Sequence, residues 1–162
     1  MRVLVFSDSH GDSRLMAQII GADTLASNVI FLGDYVSDIL RVRALHPHLE
    51  YHIVAGNCDS FSPFSDDALI ELGGVKLYLT HGHVHAVKSG PDRLFHHTGK
   101  LGACAALFGH THVAALTEKN GITLLNPGSI TEPRGAIGVS YAVMNIIDGI
   151  IDAQIIEVKS SY

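Results

Sequence analysis

The sequence predicts an α/β fold, a sandwich of two mixed β-sheets with helices on the outside. Two patterns predict it. In the first half, short apolar runs rich in β-branched residues alternate with segments of helical period; in the second, paired turn residues separate apolar runs. With 162 residues, 47% of them hydrophobic, the chain holds material for one core and reads as a single domain over residues 1–162.

The elements follow in order. Residues 3–6 form a buried strand. Ser13 is a candidate N-cap for a helix over 13–22, where Leu15, Met16, Ile19 and Ile20 recur at helical spacing. A strand over 29–32, a helix over 38–45 and a strand over 52–55 complete a strand–helix alternation, which predicts parallel pairing with right-handed crossovers. Gly73-Gly74, Asn120-Gly121 and Asp148-Gly149 then sit between apolar runs and predict hairpins with antiparallel strands. Strands are expected over 75–80, 105–108 and 150–158. A helix is expected over 91–102, with Pro91 in its first turn. No linker, repeat or low-complexity stretch marks a domain boundary.

Composition narrows the function. A net charge of −5 lacks the basic footprint needed for counterion release, so long nucleic acid is not an expected partner. Residues 1–6 run straight into the polar Asp8-Ser9-His10-Gly11-Asp12, which fits neither a secretion leader nor a membrane span. Two cysteines, Cys58 and Cys104, are too few for a disulfide framework and suggest reduced thiols in the cytoplasm. The 11 histidines are the compositional oddity, and their positions must decide whether they bind metal.

Five expected strands end directly in short polar groups of metal-ligand type. They are Asp8-Ser9-His10, Gly33-Asp34, Gly56-Asn57-Cys58-Asp59, His81-Gly82-His83 and Gly109-His110-Thr111-His112. Ligands bind beyond the carboxyl ends of parallel strands, so these groups can meet on one rim. Each alone reads more readily as a turn, a cap or a solvated loop; all five in this order point to a binuclear metal site. Two cations about 4 Å apart repel, and a bridging carboxylate, a role suited to Asp34, reduces the repulsion and fixes their spacing for in-line displacement at phosphorus. A mixed imidazole, carboxylate and amide set suits manganese, iron, nickel or zinc better than calcium.

On these motifs the chain resembles the calcineurin-like metallophosphoesterase superfamily, and in length its small single-domain phosphodiesterase branch of the YfcE type. The resemblance covers nearly the whole chain and implies a four-layer α/β/β/α sandwich with a di-metal centre, manganese being the first choice. It implies that Asp8, His10 and His112 hold one metal, Asn57, His81 and His110 the other, and that Asp34 bridges both. The superfamily often carries histidine after the asparagine, where it assists the departing group; here Cys58 stands instead. Cysteine at this place accompanies phosphodiesterase activity in the small branch. Cys58 is thus either a weak proton donor or an inert small residue.

The candidate catalytic residues are Asp34, Asn57, Cys58 and Asp59. Asp59 either orients a neighbour or is an ordinary turn residue. Asn126-Pro127-Gly128-Ser129 resembles a loop beside the site in the small branch. Arg134 could reach a substrate phosphate or lie free on the surface. His83 could support the centre, while His46, His48, His52, His85, His96 and His97 read as surface or partly buried residues.

The expected reaction is attack on a phosphodiester by a hydroxide bridging the two metals. The alternatives are a phosphomonoesterase or nucleotidase on the same centre, and a non-catalytic scaffold like the small retromer subunit, against which the intact ligand set weighs. No capping domain is expected over the site, which predicts broad specificity for small phosphate esters. Apolar composition is compatible with a homo-oligomer.

Overall fold

The computed structural model describes residues 1–159 and has the predicted α/β architecture. β1 (Arg2–Phe6), β2 (Asn28–Phe31) and β3 (Glu50–Ile53) pair in parallel, joined by α1 (Arg14–Ala22) and α2 (Val36–Leu45). β9 (Ser140–Ile147) pairs antiparallel with β1, and β10 (Ile150–Glu157) with β9, giving the order β10-β9-β1-β2-β3. In the second sheet β4 (Asp67–Leu72), β5 (Val75–Thr80), β6 (Ala105–Leu107), β7 (Ala115–Lys119) and β8 (Ile122–Asn126) are ordered β4-β5-β6-β8-β7. Within it β5, β6 and β8 are parallel, and hairpins at Gly73-Gly74 and Asn120-Gly121 add the antiparallel edges. α3 (Asp92–Lys100) lies against this second sheet.

Alternation along the strands builds the layers. In β1, Val3 and Val5 face the partner sheet and meet Leu77, Leu79, Leu107 and Leu125, whereas Leu4 and Phe6 face the helices and meet Met16, Ile20, Ile39 and Val42. On the far side Tyr78, Ala106 and Leu124 pack against Leu94 and Phe95 of α3. The result is helix, sheet, sheet, helix. Burying each large apolar side chain is worth about 1.5–3 kcal/mol, so the inter-sheet layer fixes the relative position of the two sheets.

Helix starts depart from expectation in an instructive way. α2 begins at Val36 rather than residue 38, because the Asp59 carboxylate accepts the Val36 N–H at 2.7 Å and supplies a cap from a distant loop. Ser13 precedes α1 but makes no side-chain cap bond; Asp12 Oδ1 instead accepts the Arg14 N–H at 2.9 Å. Pro91 stands just outside α3, at its N-cap.

Candidate metal centre

The polar groups that follow β1, β2, β3, β5 and β6 gather at one end of the sandwich. Sharp turns bring them there. Asp8, His10, Asp34, His110 and His112 all have positive φ, between 42° and 68°. Aspartate and histidine reach this region more readily than most residues, yet it is still less favoured than the right-handed one and is kept here by the surroundings. Close approach does the enforcing: a Cβ on Gly56 would strike Asp34 Oδ1, and one on Gly109 would strike Ser7 Oγ and Asp8 Oδ2.

Six candidate ligands converge. Asp8 Oδ1 lies 3.2 Å from His112 Nε2, 3.9 Å from His10 Nε2 and 4.0 Å from His81 Nε2. Asp34 reaches both groups, with Oδ1 3.4 Å from His81 Nε2 and Oδ2 3.9 Å from His10 Nε2. Two imidazole pairs face one another nitrogen to nitrogen, His10 with His112 at 3.1 Å and His110 with His81 at 3.2 Å.

Other contacts aim these atoms. His81 Nδ1 and His112 Nδ1 each lie 2.7 Å from a backbone oxygen, of Leu32 and Glu132, which leaves both Nε2 atoms turned into the cluster. Asp8 Oδ2 accepts from Ser7 Oγ at 2.6 Å and the His110 N–H at 3.1 Å, while Asp8 Oδ1 is buried with no hydrogen bond.

The electrostatics are those of carboxylates and imidazoles that shift one another across a buried cluster. Burial disfavours charge on Asp34, but His81 and the Cys58 N–H outweigh it and hold its carboxyl well below the usual range. Burial also opposes charge on His81, yet Asp34 and Asp8 push its pKa up, and Asp8 raises His112. His110 goes the other way: burial, then repulsion from His81, lowers it to about 4 and leaves a neutral imidazole.

Asn57 differs from the six candidate ligands above. It is exposed on the rim, and its amide donates to Cys58 Sγ at 3.4 Å. The Cys58 Sγ groups with ligand atoms of His10 and Asp34, and its N–H donates to Asp34 Oδ1 at 2.9 Å. Partial burial and then Asp34 push this thiol up to about 11, so it stays protonated at neutral pH. Asp59 is more than a turn residue: its carboxylate accepts the N–H groups of Asp34 at 2.9 Å, Gly56 at 2.8 Å and Val36 at 2.7 Å.

The loop Asn126-Pro127-Gly128-Ser129 lies directly beneath the site. Asn126 Nδ2 donates to Gly109 O and to Thr111 Oγ1, both at 3.0 Å, and Ser129 Oγ donates to Asp8 O at 2.8 Å. His83 has its ring centroid 5.6 Å from that of His81, and its buried Nδ1 has no partner. Arg134 is exposed, tied to the site through its N–H to His112 O at 2.9 Å. Sequence reasoning missed Asp38, which is fully buried in α2 and accepts from Ser9 Oγ and the Gly11 N–H, both at 2.8 Å. It also missed Ser7. Their signal was proximity to the Asp8 and Asp34 motifs.

The chain belongs to the calcineurin-like phosphoesterase superfamily, whose domain profile matches residues 1–149. A probable metallophosphoesterase of Bacillus subtilis, YsnB, is 35% identical over 148 residues, covering 90% of this chain and 85% of that protein. Phosphodiesterase YfcE of Escherichia coli K12 is 25% identical, covering 90% and 88%. A crystal structure of a predicted phosphoesterase from Streptococcus pneumoniae superposes with a TM-score of 0.81 at 28% identity, covering 96% of this chain and 88% of that one. Among the described residues, no helix is long and apolar enough to cross a membrane.

The family implies divalent metals, and the residues present fit them. Two nitrogens each about 2.1 Å from one cation, at angles between square and tetrahedral, stand about 3.0–3.4 Å apart. Both imidazole pairs lie in that range. The unpartnered, buried Asp8 Oδ1 is the kind of atom that a cation would satisfy.

Proposed function

We propose that this chain is a phosphodiesterase working with two divalent cations, manganese first among them, on small phosphate esters. The observation that carries the reading is the convergence of Asp8, Asp34, His10, His81, His110 and His112 around an unpartnered buried carboxylate oxygen. In this reading Asp8, His10 and His112 hold one ion, Asn57, His81 and His110 the other, and Asp34 serves both. When bound, the cations supply positive charge that acidifies water at neutral pH and neutralises the phosphoryl oxygens.

The chain's own residues do the rest. Asp59 fixes the Asp34 backbone and the turn at Gly56, so the shared carboxylate is held before substrate arrives. Cys58 presents a protonated but weakly acidic thiol where relatives often carry histidine. It offers no cationic charge to a monoester dianion, which favours diesters with good leaving groups.

The test is hydrolysis of bis-p-nitrophenyl phosphate by metal-stripped protein before and after manganese or nickel is added. Activity is expected only with metal. Silence with every metal, despite stoichiometric binding, would leave the scaffold reading in its place. A Cys58→His variant that gains on p-nitrophenyl phosphate relative to the diester would support the assigned role of Cys58.

A further inference from the structure

Beside the metal centre, between the start of α2 and the loop after β3, lies a cleft of about 280 Å³ lined by residues that include Tyr35, Leu40, Cys58, Ser60, Phe61 and Pro63. It opens from the centre itself: Cys58 borders both, and the Tyr35 ring is 5.3 Å from that of His10, edge to face. Among the described residues, the exposed large hydrophobic side chains include two aromatics, Phe61 fully exposed and Tyr35 at 41%, and both line this cleft. Both also hold the left-handed backbone conformation, φ being 66° at Phe61 and 73° at Tyr35. Bulky residues adopt it at a cost, and such strain collects at ligand clamps. The lining carries no lysine, arginine or histidine, and its one carboxylate, Asp59, is bonded to three backbone N–H groups. The remaining polar side chains are the hydroxyls of Ser37, Ser60 and Ser62, so an anionic arm finds no cation there, whereas a flat uncharged ring has two aromatic faces and a proline, with hydroxyls for its edge.

We infer that this cleft is a subsite for a planar aromatic ring on the phosphate ester, with Phe61 and Tyr35 as its specificity-determining residues. The preferred substrates are then diesters bearing an aryl group or a nucleobase rather than purely alkyl ones. This rests on the phosphodiesterase reading above and narrows its substrate class.

The chain has no tryptophan, so a Phe61→Trp variant carries a single reporter at the cleft. Its fluorescence should respond saturably to phenyl phosphate and much less to cyclohexyl phosphate, with metal loaded. In kinetics, Phe61→Ala should raise KM for bis-p-nitrophenyl phosphate about tenfold, the size expected for losing a stacked ring, and Phe61→Trp should restore it. Phe61→Gly separates binding from folding: relieving the positive φ should raise Tm by about 2 °C while KM rises as in the alanine variant. Equal responses to the two monoesters, together with an unchanged KM in Phe61→Ala, would overturn the subsite while leaving the hydrolase intact. A ring-selective fluorescence response in a protein that hydrolyses nothing would keep the subsite and remove the hydrolase.

Discussion

The metal rim and the two hairpins at 120–121 and 148–149 use the same unusual backbone conformation for opposite reasons. Asn120 and Asp148 have φ of 52° and 51° and are followed by Gly121 and Gly149 at 73° and 77°. Asparagine and aspartate before glycine tolerate that conformation at little cost, so the hairpins are locally specified. At the rim the left-handed residues are aspartates and histidines whose side chains have another task, and neither Asp8 nor Asp34 is followed by a glycine. Tertiary contacts hold them: Asp59 on Asp34, Ser129 on Asp8, Asp38 on the loop at 9–11. Local chemistry shapes one region; long-range hydrogen bonds shape the other.

The contrast can be broken most severely by Asp34→Asn, which should lower kcat/KM on the diester by about three orders of magnitude or more, with the fold retained by circular dichroism. Next comes Gly56→Ala, whose Cβ would collide with Asp34 Oδ1 and lie 2.5 Å from Asp34 N. Metal affinity, measured by titration calorimetry, should fall about 10–100-fold, as when the groups supporting a ligand are displaced.

Without metal, His81 and His112 have raised pKa values, so they hold protons that an incoming cation must displace. Affinity should therefore fall as pH drops below those raised values, by about tenfold per unit for each proton released. His110, already neutral down to about pH 4, adds nothing to this slope above that pH. Calorimetry in two buffers of different ionisation heat should read the released protons directly; a flat profile between pH 8 and 6 would contradict the assignment. The smallest effect is expected at the hairpin. Gly121→Ala places a Cβ in open space at φ 73° and should lower Tm by about 2–4 °C while leaving metal affinity unchanged.

The same division explains what the sequence made legible. Short β-branched runs ending in ligand residues announced five strands and the candidate site together, because strand period and ligand type are local properties. The start of α2 was misplaced because its cap, Asp59, lies 23 residues away. Ser129 supports Asp8 across 121 residues, a pairing that no spacing rule reports. Asp38 looked like an ordinary polar residue near a helix start, since burial of a carboxylate is decided by the loop packed over it.

One feature of the rim reaches beyond chemistry. Asp8, His10, Asp34 and Asn57 follow strands of the helix-flanked first sheet, whereas His81, His110 and His112 follow strands of the second. A cation bound by ligands from both would act as a clasp between two separately hydrogen-bonded sheets. By mass action, metal at 100 times its dissociation constant adds about 2.7 kcal/mol to folding stability. Metal supply would then govern how long the protein survives proteolysis as well as how fast it turns over.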